Sequence, residues 1–161
     1  MQDRKTKSYE NILKIPESRL GEFAIRHIHK ERGYKFELSS FRTKIIGGDP
    51  SGNVVYDHPT VWHQLSEGKG VWMTDLPIEQ AQHDRLLEKV TRGSVLVGGL
   101  GLGYAASILA LRPGITKVVV IEKSKEVIEL VSGFICADNP YARRKIEIIH
   151  ADLLEWLDIQ P

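Results

Sequence analysis

Apolar residues change their spacing near position 93, and the change separates two kinds of structure along the chain. Before it, residues 22–30 alternate, with Phe23, Ile25 and His27 on one side, which is the period of a half-buried strand. Tyr34–Leu38 alternates again after the turn-forming Glu31-Arg32-Gly33-Tyr34, so the two segments are expected to pair as a hairpin. Asp49-Pro50-Ser51-Gly52-Asn53 is a second turn signal, between Lys44-Ile45-Ile46 and Val54-Val55-Tyr56. Residues 20–75 therefore read as a small antiparallel unit, preceded by a polar arm with one helical turn at Tyr9–Leu13.

Pro77 then opens a helix, with Asp75 as its candidate cap and Glu79 in the first turn, and Thr91-Arg92-Gly93 closes it. Beyond that point strands alternate with helices. The predicted strands are Ser94–Val97, Lys117–Ile121 and Lys145–His150; the predicted helices are Tyr104–Leu111 and Lys125–Ala137. Val118-Val119-Val120-Ile121 is a continuous β-branched run, as expected of a strand covered on both faces. Val127, Ile128, Val131, Phe134 and Ile135 fall on one helical stripe, and Arg112-Pro113-Gly114 and Asn139-Pro140 stop the two helices. The fold class predicted is α/β: a half-size Rossmann-like parallel sheet (βαβαβ) in the order 3-2-1, preceded by a small antiparallel β segment. The expected division is 1–75 for the arm and antiparallel segment and 76–161 for the Rossmann-like half-domain.

The composition, 42% hydrophobic and 27% charged in 161 residues, is that of a soluble globular domain. No apolar run approaches the ~20 residues needed to cross a bilayer, and the polar stretch Met1–Lys14 is unlike a signal peptide. The single cysteine, Cys136, excludes an internal disulfide and fits a reducing, cytoplasmic setting; its apolar neighbours suggest a packed, inert thiol. Net charge is +1, and residues 1–50 hold 11 Lys/Arg against 7 Asp/Glu. Those bases are scattered, so they offer only weak support for a nucleic-acid surface.

Candidate chemistry begins at Val95-Leu96-Val97-Gly98-Gly99-Leu100-Gly101-Leu102-Gly103, a buried strand running into a glycine loop and then a helix. Glycines at 99, 101 and 103 let backbone approach a ligand, and the helix start beyond them favours a nucleotide or carboxylate. Glu122 ends the next strand, nineteen residues beyond Gly103, where a carboxylate accepts ribose hydroxyls; the alternative is a surface pair with Lys123 or Lys125. Asp152, after the third strand, suits an adenine amino group, with the Leu153 N–H for a ring nitrogen, and equally suits a helix cap for Leu153–Trp156.

Together these motifs resemble the class I S-adenosylmethionine-dependent methyltransferase family, and within it the spermidine synthase-like branch. The first motif, G-x-G-x-G after a strand, is Gly99-Leu100-Gly101-Leu102-Gly103. The second, an acid ending the next strand, is Val120-Ile121-Glu122-Lys123-Ser124-Lys125-Glu126-Val127. The third is Asp152-Leu153, and Gly70–Asp75 through Gln82-His83 is similar to the lead-in of that branch. The resemblance covers roughly residues 70–157. It implies S-adenosylmethionine as cofactor, held by Gly99, Leu100, Gly101, Gly103, Glu122, Lys123, Asp152 and Leu153. It also implies a methyl or aminopropyl transferase whose fourth strand and C-terminal half are not encoded here. The acidic residue that often precedes the glycines is replaced by Val97 and Gly98.

Several expectations accompany that reading. Gly101-Leu102-Gly103-Tyr104-Ala105-Ala106 also fits G-x-G-x-x-A, leaving an NAD(P)-binding half-domain as the rival. No catalytic residue stands out: Asp75 and Glu79 are candidate bases, His83 a candidate lining residue, and Trp72 a candidate lid. His27, His29, His58 and His63 lack a cysteine partner and read as surface or strand-edge residues, with no metal site expected. With three parallel strands the first is an open edge, so a second copy, a partner chain or a further half is expected to cover it. A non-catalytic remnant that binds a ligand or partner through the same fold is the other expectation.

Overall fold

The computed structural model describes residues 13–37 and 53–159. Its N-terminal strands are β1 (Ser18–Leu20), β2 (Phe23–Lys30), β3 (Lys35–Glu37), β4 (Asn53–Val55), β5 (Thr60–Glu67) and β6 (Gly70–Thr74). Four form an antiparallel sheet in the order β1-β2-β5-β6, while β3 and β4 make a separate two-stranded ribbon. The expected hairpin of residues 22–30 with 34–38 is therefore not formed. Alternation marks which side of a strand is apolar, and β2 finds its full-length partner in β5, from Phe23↔Glu67 to Lys30↔Thr60. The turn signal at Asp49–Asn53, the strand Lys44–Ile46 and the helical turn at Tyr9–Leu13 fall wholly or largely outside the described residues.

Helix α1 (Pro77–Leu87) follows, and then the parallel unit: β7 (Gly93–Gly98), α2 (Tyr104–Ala110), β8 (Ile115–Glu122), α3 (Lys125–Val131), α4 (Pro140–Arg143), β9 (Ile146–His150) and α5 (Leu153–Asp158). The strands lie in the order β7-β8-β9, both pairs parallel, so the fold is α/β with a half Rossmann-like sheet beside an antiparallel one. Phe23, Ile25 and Leu65 of the antiparallel sheet share one apolar cluster with Leu109, Val118, Val120, Val127 and Val131, which fixes the two sheets against each other.

Three details depart from expectation. The helix predicted over Lys125–Ala137 stops at Val131 and tightens into a 3₁₀ turn at Ser132–Phe134, with Cys136 in the left-handed region at φ 51°. Just beyond that turn the fully buried Ile135 packs against Gly103. Asn139-Pro140 starts a helix rather than ending one: Asn139 Oδ1 accepts the Ala142 N–H at 3.0 Å, and proline suits the first helical position.

The third concerns β8, whose second face is covered only at its end, where Ile121 is fully buried. Val95, Val97, Val118 and Val120 face the core, whereas Ser94, Leu96, Lys117, Val119 and Glu147 share the other face. There Leu96 is 43% exposed and Lys117 pairs with Glu147 at 2.7 Å. Among the described residues β7 has β8 as its strand partner on one side and an open edge on the other. No helix among them is long and apolar enough to cross a membrane.

Candidate functional site

The glycine loop is built by backbone conformation and held by one carboxylate. Gly99 and Gly101 take φ of 88° and 51°, a region that L side chains rarely adopt. The Gly99 N–H donates to the Ile121 carbonyl at 2.8 Å, so the loop leaves β7 still attached to β8. At the end of β8, Glu122 Oε2 accepts the Leu100 N–H at 2.7 Å and Oε1 accepts the Ser124 N–H at 2.8 Å. Glu122 is only 7% exposed, which overturns the surface-pair alternative; Lys125 pairs with Glu129 instead. The carboxylate thus joins the loop to the start of α3 and retains lone pairs on both oxygens for further donors.

Above this arrangement lies a cavity of about 300 Å³. Gly98–Leu102 and Glu122 line one side; Leu65, Trp72, Met73, Thr74 and Asp75 of the antiparallel sheet and its exit line the other, with Gln80, His83 and Tyr104 between. A Cβ on Gly99 would meet nothing within 4 Å, so bare backbone faces open space there. On Gly101 a Cβ would run into Met73. His83 and Trp72 both line the cavity. Trp72 is 51% exposed, with its indole N–H on Glu67 and its ring edge-on to Phe23 at 5.6 Å.

The sequence-marked residues separate into two groups. Gly99, Leu100, Gly101 and Glu122 all line the cavity, whereas Gly103, Lys123, Asp152 and Leu153 do not. Gly103 is the left-handed N-cap of α2 and packs on Ile135. Asp152 caps α5, its Oδ1 accepting the Leu154 N–H at 2.9 Å, while Oδ2 accepts from Lys123 Nζ at 2.8 Å. The Lys123 hydrogen bond and charge, with the Leu154 N–H, hold the Asp152 carboxyl below the usual carboxylate range; Asp152 in turn raises Lys123. Leu153 lies against Gly98, and the Ala151 N–H donates to the Glu122 carbonyl at 3.0 Å. The two carboxylates therefore sit at neighbouring strand ends, one lining the cavity and one outside its lining.

A buried pair escaped the sequence reading. His63 is 6% exposed, not a surface or strand-edge residue, and Asp75 is 3% exposed. Asp75 Oδ1 accepts the His63 N–H at 2.6 Å, and Oδ2 lies 2.7 Å from His63 Nδ1. Asp75 is accordingly not the cap of α1, whose N-cap is Leu76 without a side-chain bond. The His27 ring stands edge-on to His63 at 4.9 Å, and His27 Nε2 lies 2.7 Å from the Ile15 carbonyl. Glu79 accepts from Thr74 Oγ1, and Asp84 accepts from the Tyr104 hydroxyl at 3.0 Å. Burial pushes the Cys136 thiol up, away from the reactive thiolate. Among the described residues no three His, Cys, Asp or Glu side chains are grouped to hold a metal ion.

No protein-family model and no curated protein matches the chain. Among solved structures it is similar to the methyltransferase domain of bacterial CtHen1. The CN form is 19% identical over 47% of this chain, with a TM-score of 0.39, and the C form is 19% identical over 45%, with a TM-score of 0.38. The chain spans 40% and 38% of those two structures, less than half of either.

Proposed function

We propose that the chain binds S-adenosylmethionine, or a close S-adenosyl relative, in the cavity over the glycine loop, as the cofactor-binding part of a methyl or aminopropyl transferase. One observation carries the reading: a buried carboxylate, Glu122, is held by two backbone N–H groups at a strand end, beside glycine backbone that faces open space. In a parallel sheet this is where a ribose places its two hydroxyls, as donors to the lone pairs that Leu100 and Ser124 leave over. Asp152 and Leu153, just beyond the neighbouring strand, would then meet the adenine, with Lys123 keeping Asp152 ionised.

When bound, such a cofactor supplies an electrophilic carbon on sulfur. The chain's own contribution is to fix the ribose, bare the backbone at Gly99, and wall the cavity with apolar side chains that exclude water. Asp75 is the carboxylate best placed to orient an acceptor. Its two oxygens are already engaged by His63, which suits positioning better than proton abstraction. That observation favours a second reading, ligand binding without transfer, if no acceptor is turned over. The open edge of β7 and the exposed Leu96 support a further proposal, that another strand pairs there in the working protein.

Titration calorimetry with S-adenosylmethionine, S-adenosylhomocysteine and NAD tests the ligand. Heat with the sulfur compounds and none with NAD is expected. Binding of NAD alone would replace this reading with the nicotinamide one.

A further inference from the structure

The side chain that meets the glycine loop comes from the other sheet. Met73, on β6, sends its thioether onto the loop, where the Leu102 N–H donates to Sδ at 3.2 Å. A Cβ on Gly101 would lie 2.1 Å from that sulfur and 2.7 Å from Cε, so Met73 fills the space that glycine makes at 101. Three other N–H groups of the loop have oxygen acceptors: Gly99 on Ile121, Leu100 on Glu122 and Gly103 on Leu100. Leu102 alone of these four is bonded to sulfur, a weak acceptor that any ligand oxygen outcompetes. Methionine is unbranched, with three rotatable bonds, so it can swing aside at small cost. Its strand is also irregular, since the β5–β6 register shifts between Leu65 and Ser66, opposite Met73.

We infer that Met73 is a displaceable stopper of the glycine cradle, holding the Leu102 N–H until an oxygen of the ligand takes it. The inference rests on the S-adenosyl reading of the cavity. Ligand entry then has two consequences: Leu102 exchanges a sulfur acceptor for an oxygen, and the Met73 methyl leaves Gly101. Affinity is lowered by whatever the sulfur contact contributes. A ligand with no oxygen for Leu102 gains nothing to offset that loss.

The chain has two methionines, Met1 and Met73, so methyl-labelled methionine gives two signals, and Met73→Leu assigns them. Saturation of the wild-type chain with S-adenosylhomocysteine should move the Met73 signal. Met73→Ala should bind that compound about 3- to 10-fold more tightly, the worth of one modest hydrogen bond. Met73→Leu keeps the volume but not the acceptor and should also bind more tightly. An unmoved Met73 signal in a saturated chain, or weaker binding by both variants, would make Met73 a fixed wall and overturn the stopper while leaving the ligand reading intact. No heat from the wild type or either variant would overturn both.

Discussion

Glu122 accepts the N–H of Leu100, 22 positions earlier in the chain, at 2.7 Å, and this bond ties the glycine loop to the end of the neighbouring strand. Because the same carboxylate also accepts from Ser124, its removal orphans two backbone donors. Glu122→Ala is therefore expected to destabilise the fold by about 1–3 kcal/mol as well as to weaken ligand binding. Glu122→Gln, which keeps one oxygen acceptor, should lose less stability. Urea unfolding midpoints check the ordering, and equal midpoints for wild type and Glu122→Ala would contradict the tie.

The His63–Asp75 pair is a buried link between β5 and the exit of β6. Asp75→Ala leaves the His63 N–H and Nδ1 without that carboxylate, and a loss of about 1–3 kcal/mol is expected. If Asp75 also orients an acceptor, Asp75→Asn should bind S-adenosylhomocysteine as the wild type does yet lose any transfer activity found. Calorimetry on the folded variant separates the two roles.

Tyr56 is fully buried, and its hydroxyl has no hydrogen-bond partner among the described residues. Burial chiefly, with the nearby Glu79 charge, pushes its pKa up from 10.0 to about 12. The neutral ring is thus favoured in the fold. Its contribution is complete below pH 10 and is lost as pH rises towards 12. Tyr56→Phe removes the orphan hydroxyl, so it should leave the melting temperature unchanged or raise it, and it should lessen alkaline destabilisation. A clear drop in melting temperature at neutral pH would show that the hydroxyl has a partner.

Lys123→Met should let the Asp152 carboxyl titrate closer to its ordinary range, because the Lys123 hydrogen bond is the first cause of its depression. Carbon-detected NMR of the side-chain carboxyl follows this directly. The Leu154 N–H remains as a second cause, so a partial return is expected. If Asp152 also serves the adenine, S-adenosylhomocysteine binding should weaken as pH falls through its lowered pKa. A pH-independent affinity in that range would confine Asp152 to capping.

What the sequence made legible was whatever depends on neighbours along the chain. Gly99, Glu122 and Asp152 each follow a strand whose apolar run announces its own end, so their shared edge could be inferred from spacing. His63 and Asp75 could not be paired that way, since their contact depends on the β5–β6 register, which slips at Leu65/Ser66. The hairpin expected of residues 22–30 failed for the same reason: alternation identifies faces, whereas partners are chosen by length and long-range packing. Met73 carried no signal at all. An apolar residue in a strand looks like core until its side chain is seen on the loop.

The glycines themselves offer the sharpest separation of fold from binding. Gly103 has φ 79°, and a Cβ there would lie 2.8 Å from Ile135 Cγ1 and 3.3 Å from Val131 Cγ1. Gly103→Ala therefore combines the left-handed penalty, about 1–2 kcal/mol, with a core clash, and should destabilise the chain clearly. Gly99 has φ 88° but nothing within 4 Å of its would-be Cβ. Gly99→Ala should show the conformational penalty alone in the urea midpoint, yet place a methyl group where the ligand approaches. A loss of S-adenosylhomocysteine affinity larger than its loss of stability is expected for Gly99→Ala. Were its affinity untouched, the ligand would not pass over Gly99, and the cavity would have to be read from the Met73 side instead.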